Sequence, residues 1–199
     1  MKYIFVSDIH GNVEGLNIIV NKCEEENVNK LIILGDTAAS VDREDNIKLA
    51  DILNELKDRV EIIRGNCDTI EFEDLLNFQI FDIDTLYVNN KFVTVTHGHY
   101  YNCWDLPSNC GEIFIQGHTH IPMLKKENGR ILANPGSITR PRGCDLRCYL
   151  LLDEEKISLK TLDGKLVKEI KFDSVDNTLW YLIYRYFTYF LKLYAILII

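Results

Sequence analysis

From Met1 to Asn66 the chain alternates short runs of β-branched and aromatic residues with longer stretches of helical periodicity, and few architectures accept that order. Tyr3–Val6, Leu31–Leu34 and Val60–Ile63 read as buried strands bounded by polar turns. Between them, Val13–Glu26 sets Leu16, Ile19, Val20 and Cys23 at helical spacing, and Ile47–Leu56 does the same with Ile47, Leu49, Ala50, Leu53 and Leu56. Parallel strands need a crossover connection, and a helix is its usual form. Strand, helix, strand, helix, strand at this pace therefore predicts βαβ units around a parallel core.

After that point the spacing shortens. Thr85–Val88 and Lys91–Thr96 flank Asn89-Asn90, and Lys125–Lys126 and Arg130–Ala133 flank Glu127-Asn128-Gly129; both read as hairpins, the second on a strong Asn-Gly signal. Ile113–Gln116 is a brief strand, and Cys148–Leu152, Lys156–Leu162 and Lys165–Phe172 form a run of three more, so this half reads as mostly antiparallel. At 199 residues the chain suits one α/β domain, here 1–173, followed by an apolar tail, 174–199.

Every strong polar signature sits just after one of these strands: Asp8-Ile9-His10, Gly35-Asp36, Gly65-Asn66-Cys67-Asp68, His97-Gly98-His99 and Gly117-His118-Thr119-His120. Ligand crevices in open α/β sheets lie at the carboxyl ends of strands, so segments far apart in sequence are expected to meet at one edge. All five histidines fall in these segments, which random placement of core or surface histidines does not explain. On extended exits, Asp8 and His10, and likewise His118 and His120, share a face as residues i and i+2. Carboxylate, amide and imidazole donors without thiolates suit Mn, Fe, Ni or Zn rather than Ca or a structural zinc.

The formal net charge of −8 argues against sequence-blind binding of long nucleic acid, although bound cations would reverse the field locally. Of the six cysteines, neither Cys103 and Cys110 nor Cys144 and Cys148 has C-x2-C spacing, and the set reads as reduced thiols of a cytoplasmic protein. Met1–Val6 runs straight into Ser7-Asp8, leaving no room for a cleavable signal.

The ordered blocks D-x-H, G-D, G-N-x-D, H-G-H and G-H-T-H resemble those of the calcineurin-like metallophosphoesterases. "SDIHGN", "RGNCD", "THGH" and "GHTHIP…NPGS" look like its small YfcE-like phosphodiesterase branch, over about Met1–Phe172. The resemblance implies a four-layer α/β/β/α sandwich with two mixed β-sheets. It implies two divalent metal ions, Mn2+ foremost, with Ni2+, Fe2+ or Zn2+ as alternatives, and no other cofactor. One ion would be held by Asp8, His10, Asp36 and His120, the other by Asp36, Asn66, His97 and His118, with Asp36 shared. It implies hydrolysis of a small phosphodiester by a hydroxide bridging the two metals. The alternatives are a non-catalytic scaffold on the same fold, as in the superfamily's retromer subunit, and a phosphomonoesterase or nuclease. A homo-oligomer is compatible with all of these.

Proton delivery is the open step. Where many relatives carry a histidine after the asparagine, this chain has Cys67, as the YfcE-like branch often does. Cys67 reads as a small filler or a weak acid. His99, with Asn66 and Asp36, is then a catalytic candidate, either as general acid or phosphate contact or in support of the ligands. Asn12 reads as a phosphate contact or a helix N-cap, Asp68 as a residue orienting its loop, and Arg64 as a partner for a carboxylate. Tyr100, Tyr101, Trp104, Arg140 and Arg142 are candidates to shape the substrate pocket.

Leu179–Ile199 is overwhelmingly apolar, yet Arg185, Thr188 and Lys192 share one helical face within it. Three readings stand: a packed helix, a membrane-contacting or spanning anchor that would add membrane association, and a disordered tail.

Overall fold

A computed structural model describes residues 1–38 and 43–172. The readings of the C-terminal tail, 174–199, fall outside the described residues. Among those described, no helix is long and apolar enough to cross a membrane.

The βαβαβ expectation holds. β1 (Tyr3–Val6), α1 (Val13–Glu25), β2 (Lys30–Ile33), α2 (Arg43–Glu55) and β3 (Val60–Ile62) follow in order, and β1–β2 and β2–β3 pair parallel. Asn12 turns out to be a helix cap: its side chain accepts a bond from Gly15 N at 2.8 Å, satisfying an otherwise orphaned amide. Leu16, Ile19 and Cys23 of α1 and Leu49, Ala50 and Leu53 of α2 are buried against the first sheet. A short α3 (Ile70–Glu73), with Thr69 as its N-cap, was not anticipated from sequence; its Phe72 joins the same core.

β4 (Ile83–Val88) and β5 (Lys91–Thr96) form the first expected hairpin, and β7 (Met123–Glu127) and β8 (Arg130–Asn134) the second. Asn89 and Asn90 have φ of 51° and 63°, and Asn128 and Gly129 have 48° and 78°. Paired left-handed residues match the twist of the flanking strands, and Asn and Gly reach that region at least cost. β6 (Ile113–Ile115) lies between the hairpins and pairs parallel with both β5 and β8, a pairing the local sequence did not announce. β9 (Cys148–Leu152), β10 (Lys156–Thr161) and β11 (Leu166–Lys171) form an antiparallel run that returns to β1.

Two mixed sheets result, ordered β11-β10-β9-β1-β2-β3 and β4-β5-β6-β8-β7. One apolar cluster lies between the first sheet and the helices; a second lies between the sheets, around Phe5, Ile32, Leu34, Val93, Val95, Ile113, Ile115 and Leu150. Among the described residues the outer face of the second sheet is crossed by the segment that follows β5. There Cys103 N donates to Gln116 Oε1 at 2.6 Å and Gly111 N to Thr94 Oγ1 at 2.9 Å. The carboxyl ends of β1, β2, β3, β5 and β6 open onto one edge, where the polar blocks gather.

Candidate metal centre

The exits of β1 and β2 run side by side. Asp8 N donates to Gly35 O at 3.0 Å, His10 N to Asp36 O at 2.9 Å and Gly11 N to Thr37 O at 3.1 Å. The expectation of extended exits is overturned. Asp8, His10, Asp36, His118 and His120 have φ of 55°, 46°, 51°, 66° and 62°, all in the left-handed region. Side chains there converge through successive tight kinks rather than by strand alternation. Each such residue costs on the order of 1–2 kcal/mol, and the surrounding bonds hold it in place.

Several of those bonds come from residues to which the sequence reading gave no individual role. Ser137 Oγ donates to Asp8 O at 2.7 Å and Thr139 Oγ1 to Ile9 O at 2.6 Å, stitching the segment after β8 to the β1 exit. Asn134 Nδ2 donates to Gly117 O at 2.7 Å and lies 3.0 Å from Thr119 Oγ1, fixing the turn between His118 and His120. "NPGS" was the signal available for both. Asp68 accepts from Thr37 N, Ala38 N and Gly65 N at 2.8, 2.9 and 2.8 Å, clamping the β2 exit to the β3 exit, in keeping with the orienting role read for it. Burial pushes its carboxyl up, and these amides offset part of that push. Arg64 pairs with Glu73 at 2.7 Å and lies 3.7 Å from Asp82, away from the ligand cluster.

Two groups of donor atoms form at this edge. In the first, His120 Nε2 lies 3.1 Å from Asp8 Oδ1 and 3.3 Å from His10 Nε2, and His10 Nε2 lies 3.8 Å from Asp36 Oδ2. In the second, His97 Nε2 lies 3.4 Å from Asp36 Oδ1, 3.1 Å from Asn66 Oδ1 and 3.2 Å from His118 Nδ1. All seven residues expected to bind metal are thus brought together, and the two oxygens of Asp36 face different groups. The donor atoms of Asp8, His10 and His120 lie within 4.8 Å of one another, as do those of Asp8, Asp36 and His97.

These residues fit divalent cations. His97 Nδ1 and His120 Nδ1 sit 2.7 and 2.8 Å from the carbonyl oxygens of Leu34 and Arg140, which only a protonated nitrogen satisfies. In the neutral form each ring would therefore carry its lone pair on Nε2, aimed into the cluster, as in metal-binding histidines whose other nitrogen is anchored. Asp8 is fully buried, and its Oδ1 has no hydrogen-bond donor unless His120 takes a second proton. Without a cation the contact with Asp8 pushes His120 up, against its burial. Burial pushes His10 and His118 down, which favours the neutral, ligating form. Imidazole nitrogens only 3.2–3.3 Å apart cannot each point a lone pair at the other without something positive near both.

Cys67 N donates to Asp36 Oδ1 at 2.8 Å, while the thiol, near Asn66 Nδ2 at 3.3 Å, is pushed up to about 11 by burial and by Asp36. Cys67 Sγ also falls within 4.8 Å of donor atoms of His10 and Asp36. His99 stands one ring away, its centroid 5.3 Å from that of His97, 6.3 Å from His118 and 4.0 Å from Tyr100. Its Nδ1 is buried and unpartnered, and burial with the charges of His97 and His118 holds the ring below the ordinary histidine range. Tyr100 and Trp104 are largely exposed. On the other side, Arg140 N donates to Ser137 Oγ at 2.8 Å and Arg142 N to His120 O at 2.9 Å.

The calcineurin-like phosphoesterase superfamily domain matches residues 1–156. The chain is 30% identical over 175 residues to phosphodiesterase YfcE of Escherichia coli, covering 84% of this chain and 95% of that protein. It is 27% identical over 167 residues to the probable metallophosphoesterase YsnB of Bacillus subtilis, covering 78% and 85%. The solved structure of the Escherichia coli YfcE phosphoesterase superposes with a TM-score of 0.80 at 28% identity, covering 87% of this chain and all of that one. With its fold and strand-end clusters, the chain belongs to the calcineurin-like phosphoesterase superfamily.

Proposed function

We propose that this protein is a metal-dependent phosphodiesterase that works with two divalent cations on a small phosphodiester. One cation is assigned to Asp8, His10, Asp36 and His120, and the other to Asp36, Asn66, His97 and His118. The observation that carries this reading is the Asp36 carboxylate, with Oδ2 3.8 Å from His10 Nε2 and Oδ1 3.4 Å from His97 Nε2. One carboxylate addressing two donor groups is what a shared ligand requires. Two cations so held would polarise phosphoryl oxygens and acidify water at neutral pH. Mn2+ is the first cation to load, as the family resemblance implies; the mixed oxygen and imidazole donors without thiolate also suit Fe2+, Ni2+ or Zn2+.

The protein's own residues supply the rest. Asn66 and Asp36 would hold cations beside the reacting phosphoryl group, and those cations would supply Lewis acidity to it. His99, one ring from His97 and His118, contacts a phosphoryl oxygen or the leaving oxygen. Cys67 keeps its proton at neutral pH and fills space beside Asp36. All seven expected donor positions carry competent residues, which favours catalysis over a scaffold that has lost ligands. Six free cysteines support a reducing, cytoplasmic setting.

The test is hydrolysis of bis-p-nitrophenyl phosphate and p-nitrophenyl phosphate after loading with Mn2+. Activity on the diester well above that on the monoester is expected. No activity on either, with no bound metal by elemental analysis, overturns the reading.

A further inference from the structure

The 30 acidic residues of this chain outnumber its 22 lysines and arginines, and two of its arginines pair with glutamates. Arg59 meets Glu24 at 2.8 Å and Arg64 meets Glu73 at 2.7 Å. Arg140 and Arg142 are different. Both are exposed, and among the described residues neither guanidinium has an ion-pair or hydrogen-bond partner.

They are also not loosely placed. Arg140 O accepts from His120 Nδ1 at 2.8 Å, Arg142 N donates to His120 O at 2.9 Å, and Arg140 N is held by Ser137 Oγ at 2.8 Å. The same Ser137 hydroxyl bonds Asp8 O, so the backbone under both arginines is pinned to two residues of the first donor group. Two cationic forks on a fixed ledge beside one donor group, in an otherwise acidic protein, are suited to an anion arriving from outside.

We propose that Arg140 and Arg142 form an anion subsite beside the Asp8–His10–His120 group, so that the preferred substrate is a phosphodiester carrying a second anionic group, phosphate or carboxylate. The inference rests on the phosphodiesterase reading above and sharpens its substrate class. The scissile phosphate belongs to the donor groups; the second anion, on the retained or departing alcohol, is gripped by the guanidinium forks. The bond broken is the same P–O ester bond, with water as the second reactant.

The experiment compares three diesters with one leaving group: thymidine 5′-p-nitrophenyl phosphate with a free 3′-hydroxyl, a 3′-phosphate or a 3′-hemisuccinate. The Mn2+-loaded wild type is expected to favour the anionic substrates by about tenfold or more in kcat/KM, the scale of one charge-assisted contact. In R140Q/R142Q that preference should fall to about twofold or less. A preference for the phosphate alone identifies a phosphate subsite, and one for both anions a general anion subsite; either supports the proposal.

In the wild type the preference should also shrink as NaCl is raised from about 20 to about 500 mM, which needs no variant to be well folded. Equal use of all three substrates by the wild type, or a preference that salt and the double substitution both leave intact, overturns the inference and leaves the phosphodiesterase reading standing. Hydrolysis of none of them by the Mn2+-loaded protein overturns the inference, and activity on bis-p-nitrophenyl phosphate then decides whether the phosphodiesterase reading stands.

Discussion

At the scale of single residues, the centre is built from atoms that have little use for one another without a cation. Asp36 is the extreme case, since each of its oxygens faces a separate imidazole group. Asp36→Asn is therefore expected to lower kcat for bis-p-nitrophenyl phosphate by at least about a hundredfold, and His99→Ala by less, because His99 holds no cation in this account. Equal or reversed losses would count against the shared ligand. Gly117 is constrained differently. A Cβ there would collide with Ser7 Oγ, Ser7 Cβ and Asp8 Oδ2. Overpacking of this kind costs about 1–3 kcal/mol or more, so Gly117→Ala is expected to lower the melting temperature and to weaken metal binding together. Residue identity was legible in the sequence because ligation depends on chemical type, and type is what a sequence records. The left-handed backbone of Asp8 and His10 was not legible. It is imposed by the parallel run of two exits, and aspartate and histidine do not announce φ.

At the scale of elements, the first half follows from periodicity and the second from turns. α1 presents Leu16, Ile19 and Cys23 on one face because 3.6-residue spacing puts them there, and Asn12 starts it by capping Gly15. Leu16 and Ile19 are fully buried, so Leu16→Ala or Ile19→Ala should each cost about 2–5 kcal/mol in urea denaturation. A loss below about 1 kcal/mol would mean that the helix is not packed as described. The hairpins were readable from Asn89-Asn90 and Asn128-Gly129, since a two-residue turn specifies its own partner strands. The parallel pairing of β6 with β5 and β8 was hidden, because it joins segments whose ends carry no common turn. The short α3 was hidden for a related reason: at one turn it shows no periodicity to detect.

At the scale of the whole molecule, two sheets are pressed together, and one of the polar contacts between them is a pair of carboxyls. Glu61 of β3 is buried, its Oε2 lies 2.6 Å from Lys30 Nζ, and Asp84 of β4 in the other sheet adjoins it. Glu61 Oε1 has no donor unless one of the two carboxyls keeps a proton. Burial first, then Asp84, pushes Glu61 above its ordinary value, with Lys30 opposing. A carboxyl whose folded value is raised stabilises the fold below its unfolded value and loses that contribution as pH climbs through the folded one. Raising the pH from about 4 to about 8 should therefore cost the metal-free wild type stability that Glu61→Gln does not lose, as read from urea midpoints. Identical pH profiles for the two proteins would contradict it.

The same two-sheet architecture brings the exits of β1, β2, β3, β5 and β6 to one edge, and the account stands on what that edge holds. Elemental analysis of the protein loaded with Mn2+ and freed of excess metal tests it most directly. The account predicts about two ions per chain in the wild type and about one or fewer in Asp36→Asn. A wild type that binds one ion or none, or an Asp36→Asn protein that still binds two, would contradict it.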